Sequence, residues 1–374
     1  MVDRLRVGVV GCGLVAQVMH LPYLRELADR YEIAAVCDLS PSRADAVGRA
    51  FGAPLRFSRW EDLVAEHLDV VFVLISGSHT PIIEAAIDAG SHVFSEKPLC
   101  LSVAEGRDLA DRAERAGVRL MVGYMKRYDP AYELLAAELG TLGTLRHVRL
   151  TTLESPGEPY LGHYAFLGGD PVPADVIRGL QAEDAGRVHA AVGDVDPEVA
   201  RVYREWLLDS MVHELNGVRG LLGEPDRIEY AAIRPGGVTV VLRFGEVECV
   251  ATWLNLPGIS RYRQEWAFVA DDRRALLEFP SPFLRSAPTT LTYEDGRPGS
   301  PASSRTDHVA GYDEAFKREL VELHASITEG RPPRTTAHDA LRDIALCEAI
   351  VAAHVTGRPV DQPTAIRTAG GTVG

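Results

Sequence analysis

Cysteine is scarce in this chain. Cys12, Cys37, Cys100, Cys249 and Cys347 are its only five, scattered through 374 residues with no C-x-x-C pair and no histidine cluster beside them. That pattern excludes a disulfide scaffold and reads as reduced, buried thiols of a cytoplasmic protein. Long apolar runs are also missing: no stretch approaches the roughly 18 residues of a membrane span, so no membrane partner is expected. The opening MVDRLRVGVVGCG does not read as a signal peptide, because its apolar run is short and leads straight into glycines. Positive charge is in deficit. Against 53 Asp and Glu stand 39 Lys and Arg, a formal net charge of −14. Such a surface argues against a nucleic-acid partner, which needs a basic face. It leaves room for an anionic cofactor held locally at a helix N-terminus. No group of His, Cys, Asp or Glu has metal-ligand spacing, so no metal is expected. There are no internal repeats.

The length exceeds one ordinary domain, and 46% hydrophobic residues can bury a large core. The first part alternates strand and helix signals. Strands are expected at Leu5–Val10, Ile33–Cys37, Val70–Ile75, His92–Phe94 and Arg119–Gly123. Helices are expected at Val15–Ala28, Arg43–Phe51, Pro81–Ala89 and Ser102–Arg115. This rhythm predicts a parallel sheet covered on both faces, ending near residue 128. From 129 to 374 a second α+β domain is expected, for substrate binding and oligomerisation, with C-terminal helices that can pack back on the first domain. Closely spaced alternating segments (Leu145–Thr152, Asp226–Ile233, Val238–Phe244, Glu248–Asn255, Gln264–Ala270, Ala275–Phe279) suggest a large, mostly antiparallel sheet. Residues 154–200, rich in Gly, Pro and Asp, read as a long loop with one or two short helices. Glu294–Arg305 reads as a mobile loop, and helices are expected at Val202–Leu222, Tyr312–Glu329 and Ala337–Thr356.

Three constellations carry chemistry. The first is VGVVGCGLVAQ, which supplies Gly11, Gly13 and Ala16 as G-x-G-x-x-A between a strand and a helix. That is the context of a dinucleotide-binding turn. Gly11 permits the tight turn, Gly13 lets the backbone approach a pyrophosphate, and Ala16 allows close helix–strand packing. Leu14 and Val15 complete the loop. Asp38 ends the second strand, where a carboxylate accepts from ribose hydroxyls and repels a 2′-phosphate, favouring NAD over NADP. Arg43 nearby opposes that preference. The alternative reading of each piece is a tight turn with a surface Asp; position and company favour the cofactor.

The second is HVFSEKPL at the end of a later strand, which sets Glu96 and Lys97 where a parallel sheet binds its ligands. The third is LLDSMVHELNGVRGLL. Helical spacings of four and three put Asp209, His213 and Asn216 on one face. His213 can accept a hydroxyl proton near neutral pH, Asp209 can orient it, and the Lys97 ammonium can stabilise charge developing on oxygen. A bland alternative exists here too: a satisfied core histidine with an Asp partner.

The ordered set of GxGxxA, SGSHTPIIEAAIDAGSHVFSEKPL, VGYMKRYDPAY, LLDSMVHELN and a C-terminal run through GRPPRTTAHDALRDIALCEAI resembles the glucose–fructose oxidoreductase/inositol dehydrogenase (Gfo/Idh/MocA) family over nearly the whole chain. The resemblance implies a Rossmann domain followed by a domain whose large sheet mediates a homo-dimer or homo-tetramer. Its motifs are nearest to myo-inositol-type dehydrogenases. Matched by motif, Lys97, Asp209 and His213 would act at the reacting carbon. Arg127 and Tyr128 would lie near substrate, His79 near the nicotinamide ribose, and Ser76 among the cofactor-binding residues. Asn216 stands where many inositol-type members carry an acid, which puts inositol itself in doubt. The 154–200 segment exceeds its counterpart in simple members and could roof the substrate pocket; it holds His163, a candidate substrate contact, with Tyr164 and His189. The implied activity is NAD-dependent hydride transfer to or from a secondary hydroxyl of a sugar, glycoside or polyol. A redox-neutral NAD-dependent glycosidase is the alternative, and a catalytically silent binding protein a third reading, disfavoured by intact Lys97, Asp209 and His213.

Overall fold

The computed structural model describes residues 4–361. They form two compact units that interleave along the chain. The first takes residues 4–124, 164–194 and 316–345; the second takes 125–163, 195–315 and 346–361. The units do not follow a single cut after residue 128.

The first unit is built on six parallel strands: β1 (Leu5–Val10), β2 (Tyr31–Cys37), β3 (Leu55–Phe57), β4 (Val70–Val73), β5 (His92–Glu96) and β6 (Leu120–Gly123). Their order is β3-β2-β1-β4-β5-β6. Val7, Val9, Phe72, Val73 and Phe94 are fully buried, as expected of a sheet with helices on both faces. The order reverses at β1, between β2 and β4, so the ligand crevice of this topology opens at their carboxyl ends. Only β3 escaped the sequence reading. It is three residues at an edge, with no side chain fully buried to mark it. Crossover helices carry ordinary signals. Val103–Ala116 opens on Ser102, whose hydroxyl accepts from Glu105 N, and closes on Gly117 at φ 69°.

Residues 164–194 differ from expectation. In place of a loop with short helices they hold one helix of 19 residues, Ala174–Val192. Gly179, Gly186 and the lack of a buried apolar stripe hide it: only Asp184 and Val188 are buried along it, while Val176, Ile177 and Leu180 are exposed. Tertiary anchors fix it rather than an apolar stripe.

The second unit centres on a nine-stranded sheet. Its strands are β7 (His147–Glu154), β8 (Arg227–Arg234), β9 (Gly237–Phe244), β10 (Val247–Asn255), β11 (Arg263–Val269), β12 (Arg273–Phe279), β13 (Thr290–Asp295), β14 (Ser304–Val309) and β15 (Val360–Asp361). They run β14-β13-β12-β11-β7-β10-β9-β8-β15, antiparallel except for β7 beside β10. The Gly/Pro/Ser-rich segment expected as a mobile loop is the turn of the β13–β14 hairpin, with its ends in the strands. One face of the sheet, through Leu150, Trp266, Ala251 and Leu277, is buried. A helix at Val212–Leu222 packs there, with Gly217 against the Trp266 ring; a side chain at Gly217 would collide with it. On the other face Thr151, Val250, Thr252 and Ala267 are only half-buried.

The helix expected over Val202–Leu222 is wound in two ways. Tyr203–Met211 is a π-helix, and Val212–Leu222 a regular α-helix. The bulky buried Tyr203, Trp206, Leu207 and Leu208 fill the wide turns, and Trp253 Nε1 donates to Ser210 Oγ at 2.8 Å. A π-turn also follows the glycine loop, at Ala16–His20, where Leu21 N donates to Ala16 O. Wide turns of this kind gather at functional sites.

Candidate active site

In the first unit the glycine loop lies at the carboxyl end of β1. Gly11 has φ +98°, a region closed to most side chains, and a Cβ there would stand 2.6 Å from Leu74 O. A Cβ at Gly13 would meet nothing within 4 Å. The loop therefore keeps open the space that a pyrophosphate needs. Ala16 is fully buried against the sheet, whereas Leu14 is 36% exposed at the rim. Val15 is half-buried beside it. Asp38 is buried at the end of β2. Its carboxylate accepts from Cys12 N at 3.1 Å and Ser40 N at 2.9 Å, and Arg43 Nη1 lies 3.3 Å away. The two backbone donors fix the carboxylate beside the glycine loop, so the residues fit a dinucleotide with its ribose at Asp38.

Beyond β4, Ser76 is exposed. His79 is not: both its ring nitrogens are used inside the unit, Nε2 3.0 Å from Ile75 O and Nδ1 2.9 Å from Ser95 Oγ. Burial pushes its pKa below the ordinary histidine value, so the ring is neutral, and the Ile75 carbonyl assigns the proton to Nε2. In this structure His79 braces the loop after β4 against β5.

Lys97 is half-exposed just beyond β5, and the Lys97–Pro98 peptide is cis. Glu96 points the other way. Its carboxylate meets His20 Nε2 at 2.7 Å and accepts from the Lys97 backbone N–H at 3.2 Å. Glu319, fully buried, completes a group with His20 and Glu96 whose nearest polar atoms lie within 4.8 Å of one another. Neither Glu319 oxygen has a hydrogen-bond partner among the described residues. Burial, with Glu96 adding to it, pushes the Glu319 carboxyl well above the carboxylate range. Burial thus favours its protonated form. The rings of Phe72, Phe94 and Phe316 pack edge-on around His20. This group went unseen in the sequence, where its members are far apart. Within it His20 Nε2 and Glu96 are joined by a direct hydrogen bond, and Glu319 stands beside them. Glu96 thus anchors the Lys97 backbone.

In the second unit Asp209 is exposed on the π-helix, His213 half-buried at the first turn of the α-helix, and Asn216 buried one turn on. Arg127 and Tyr128 lie in a 3₁₀ turn, Met125–Tyr128. Arg127 Nη1 reaches Asn216 Oδ1 at 3.5 Å, while Tyr128 is buried. His163 is exposed.

Sequence reasoning passed over a buried polar chain beneath that helix. Lys126 Nζ donates to Gln264 Oε1; Gln264 Nε2 and Thr152 Oγ1 both donate to Glu214. Burial lowers the Lys126 ammonium to about 8, and raises Glu214. Glu154, next but one after Thr152 on β7, is pushed up to about 7, first by burial and then by negative Glu214. Perturbed groups of this sort gather at functional sites. A lysine among Tyr124, Met125 and Tyr128, and a glutamate between Leu215 and Val212, were the available signals; helix periodicity drew attention to His213 instead.

Comparison with known proteins agrees with this geometry. Residues 5–124 match the family model described as an oxidoreductase family with an NAD-binding Rossmann fold. Residues 285–361 match the C-terminal α/β domain of the same family. A D-xylose 1-dehydrogenase (NADP(+)) of Haloferax volcanii is 28% identical over 373 residues, covering 95% of this chain and 98% of the relative. A myo-inositol 2-dehydrogenase of Thermotoga maritima is 28% identical over 341 residues, covering 90% and 92%. Among solved structures, levoglucosan dehydrogenase with NADH and levoglucosan shares the fold at TM-score 0.76 and 17% identity, covering 96% of this chain and 100% of that one. A 3-ketoreductase of Actinomadura kijaniata with NADP does so at 0.70 and 20%, covering 95% and 98%. The glycine cradle, the Asp38 corner and the EKP strand end all lie within the first matched range, and the chain belongs to the Gfo/Idh/MocA oxidoreductases.

Proposed function

We propose that this protein is an NAD-dependent dehydrogenase of a sugar, glycoside or polyol, moving a hydride between the nicotinamide and a secondary hydroxyl carbon. The observation that carries the reading is Lys97. It stands half-exposed at the carboxyl end of β5, in a sheet whose glycine loop leaves open space beside Gly13. The relatives' substrates, D-xylose and myo-inositol, set the substrate class. Bound NAD supplies the hydride acceptor. The chain's own residues supply the rest. The Lys97 ammonium stabilises negative charge on the reacting oxygen. His213 accepts the hydroxyl proton, and Asp209 orients it or holds a neighbouring hydroxyl. Arg127, Tyr128, Asn216 and His163 are the remaining substrate candidates.

NAD is favoured over NADP by Asp38, whose fixed carboxylate suits ribose hydroxyls and repels a 2′-phosphate. A homo-oligomer is proposed through the half-buried face of the nine-stranded sheet. The test is to incubate the protein with NAD and a panel of polyols, free sugars and glycosides, following NADH absorbance and released aglycone together. NADH in step with oxidised product supports the dehydrogenase. Aglycone without net NADH supports the redox-neutral glycosidase in its place.

A further inference from the structure

The segment 167–170 lies on the dinucleotide side of the first unit, and its contacts are specific. The Gln17 side chain, one turn into the helix after the glycine loop, pairs with the Leu167 backbone twice: Nε2 donates to Leu167 O at 3.0 Å and Oε1 accepts from Leu167 N at 2.9 Å. The same Nε2 donates to Cys12 O, inside the glycine loop, at 2.8 Å. Three residues on, Asp170 N donates to Ser42 Oγ at 2.8 Å. Between them Gly169 packs on the start of the helix Pro41–Phe51. A Cβ at 169 would stand 2.6 Å from Arg43 Cβ and 2.8 Å from Arg43 N, and would collide with Ser40 Oγ. Further along, Asp184 accepts from Ser78 N at 3.1 Å and Arg187 pairs with Glu105, tying the following helix to the loop after β4.

The corner filled by Gly169 and Asp170 has a definite chemistry. It follows Asp38 and presents the Ser40 and Ser42 hydroxyls, the Arg43 guanidinium and a helix N-terminus. Hydroxyls, an arginine and free amides at a helix N-terminus are donors of the kind that suits a 2′-phosphate in this topology. Here the chain's own backbone takes Ser42 and closes on Ser40 and Arg43, and Asp170 adds a carboxylate. Only a glycine at 169 allows so close an approach.

We infer that residues 167–170 form a built-in discriminator, occupying the place of a 2′-phosphate so that the cofactor choice is set by this strap together with Asp38. The inference rests on reading Asp38 as the ribose ligand. It gives the 154–200 insert a part at the cofactor.

The test uses the full chain and two variants. Gly169→Ala pushes the strap off the helix start. Asp170→Lys keeps the backbone N–H and reverses the charge at an exposed position. Titrations with NAD, NADP, 5′-AMP and 2′,5′-ADP read the affinities, and melting temperatures check the fold. The wild type is expected to favour NAD by about tenfold or more, and each variant to narrow that ratio about tenfold, roughly 1.4 kcal/mol. The change should come through NADP and 2′,5′-ADP, with 5′-AMP altered less than about threefold. A wild type that favours NAD beside variants with an unchanged ratio would overturn the strap's role and leave Asp38 as the sole discriminator. Equal weakening of both cofactors would overturn it as well, making the strap a general clamp. A wild type that favours NADP would overturn the Asp38 reading and the inference together.

Discussion

Lys97 and Glu96 are neighbours in sequence with opposite fates. Glu96 turns into the core to meet His20, and its hold on the Lys97 amide leaves the lysine side chain at the surface. Replacing Lys97 with Ala should therefore lower turnover about 10³-fold while NAD affinity stays within about threefold, because the ammonium serves the reacting oxygen and not the pyrophosphate. Steady-state kinetics beside a cofactor titration checks this; a variant with most of its activity would make Lys97 structural. His213→Gln should cost about 10²–10⁴-fold, the range of general acid–base catalysis, and flatten the pH dependence of oxidation. A second pH effect belongs to Glu319. Its folded-state pKa is raised, so the folded form holds the proton more tightly than the unfolded chain. Stability from this group is present below the ordinary carboxylate range and is lost as pH rises towards the raised value. Glu319→Gln mimics the protonated acid and should raise the melting temperature at pH 8 relative to wild type, with a smaller gain at pH 4. A lowered melting temperature at both pH values would show that the ionised carboxylate is the native form. Glycine and EKP residues were legible because their chemistry is local. His20, Glu319, Lys126 and Glu214 were not, because folding alone brings them to their partners.

Among the elements, the strands of the first sheet were read closely because burial on both faces leaves continuous apolar runs such as Val70–Val73. The helix Ala174–Val192 had no such signal. It is held by Asp184 at the loop after β4 and by Arg187 at Glu105. Asp184→Ala should thus release it locally. Limited proteolysis within residues 164–194 should accelerate about tenfold or more, with the global melting temperature changed by only a few degrees, as expected of an element that opens below the global unfolding energy. Unchanged proteolysis would mean that other contacts hold the helix. The π-wound Tyr203–Met211 shows the converse limit. Apolar periodicity found the helix, yet four-residue spacing alone could not reveal that the turn before His213 is wide.

At the scale of the molecule, composition excluded more than it identified. The net charge is −14, and no helix among the described residues is long and apolar enough to cross a membrane. The place of residues 164–194 in the first unit was not legible, since nothing in that segment announces which sheet it will join. The central claim is the hydride transfer. Its most direct test is the yield of NADH against oxidised product when the purified protein meets NAD and a panel of polyols, sugars and glycosides, with Lys97→Ala as the control. The account predicts that at least one substrate gives one NADH per molecule oxidised and that the control gives almost none. Turnover that leaves NAD unchanged at completion, or equal NADH formation by the Lys97→Ala protein, would contradict it.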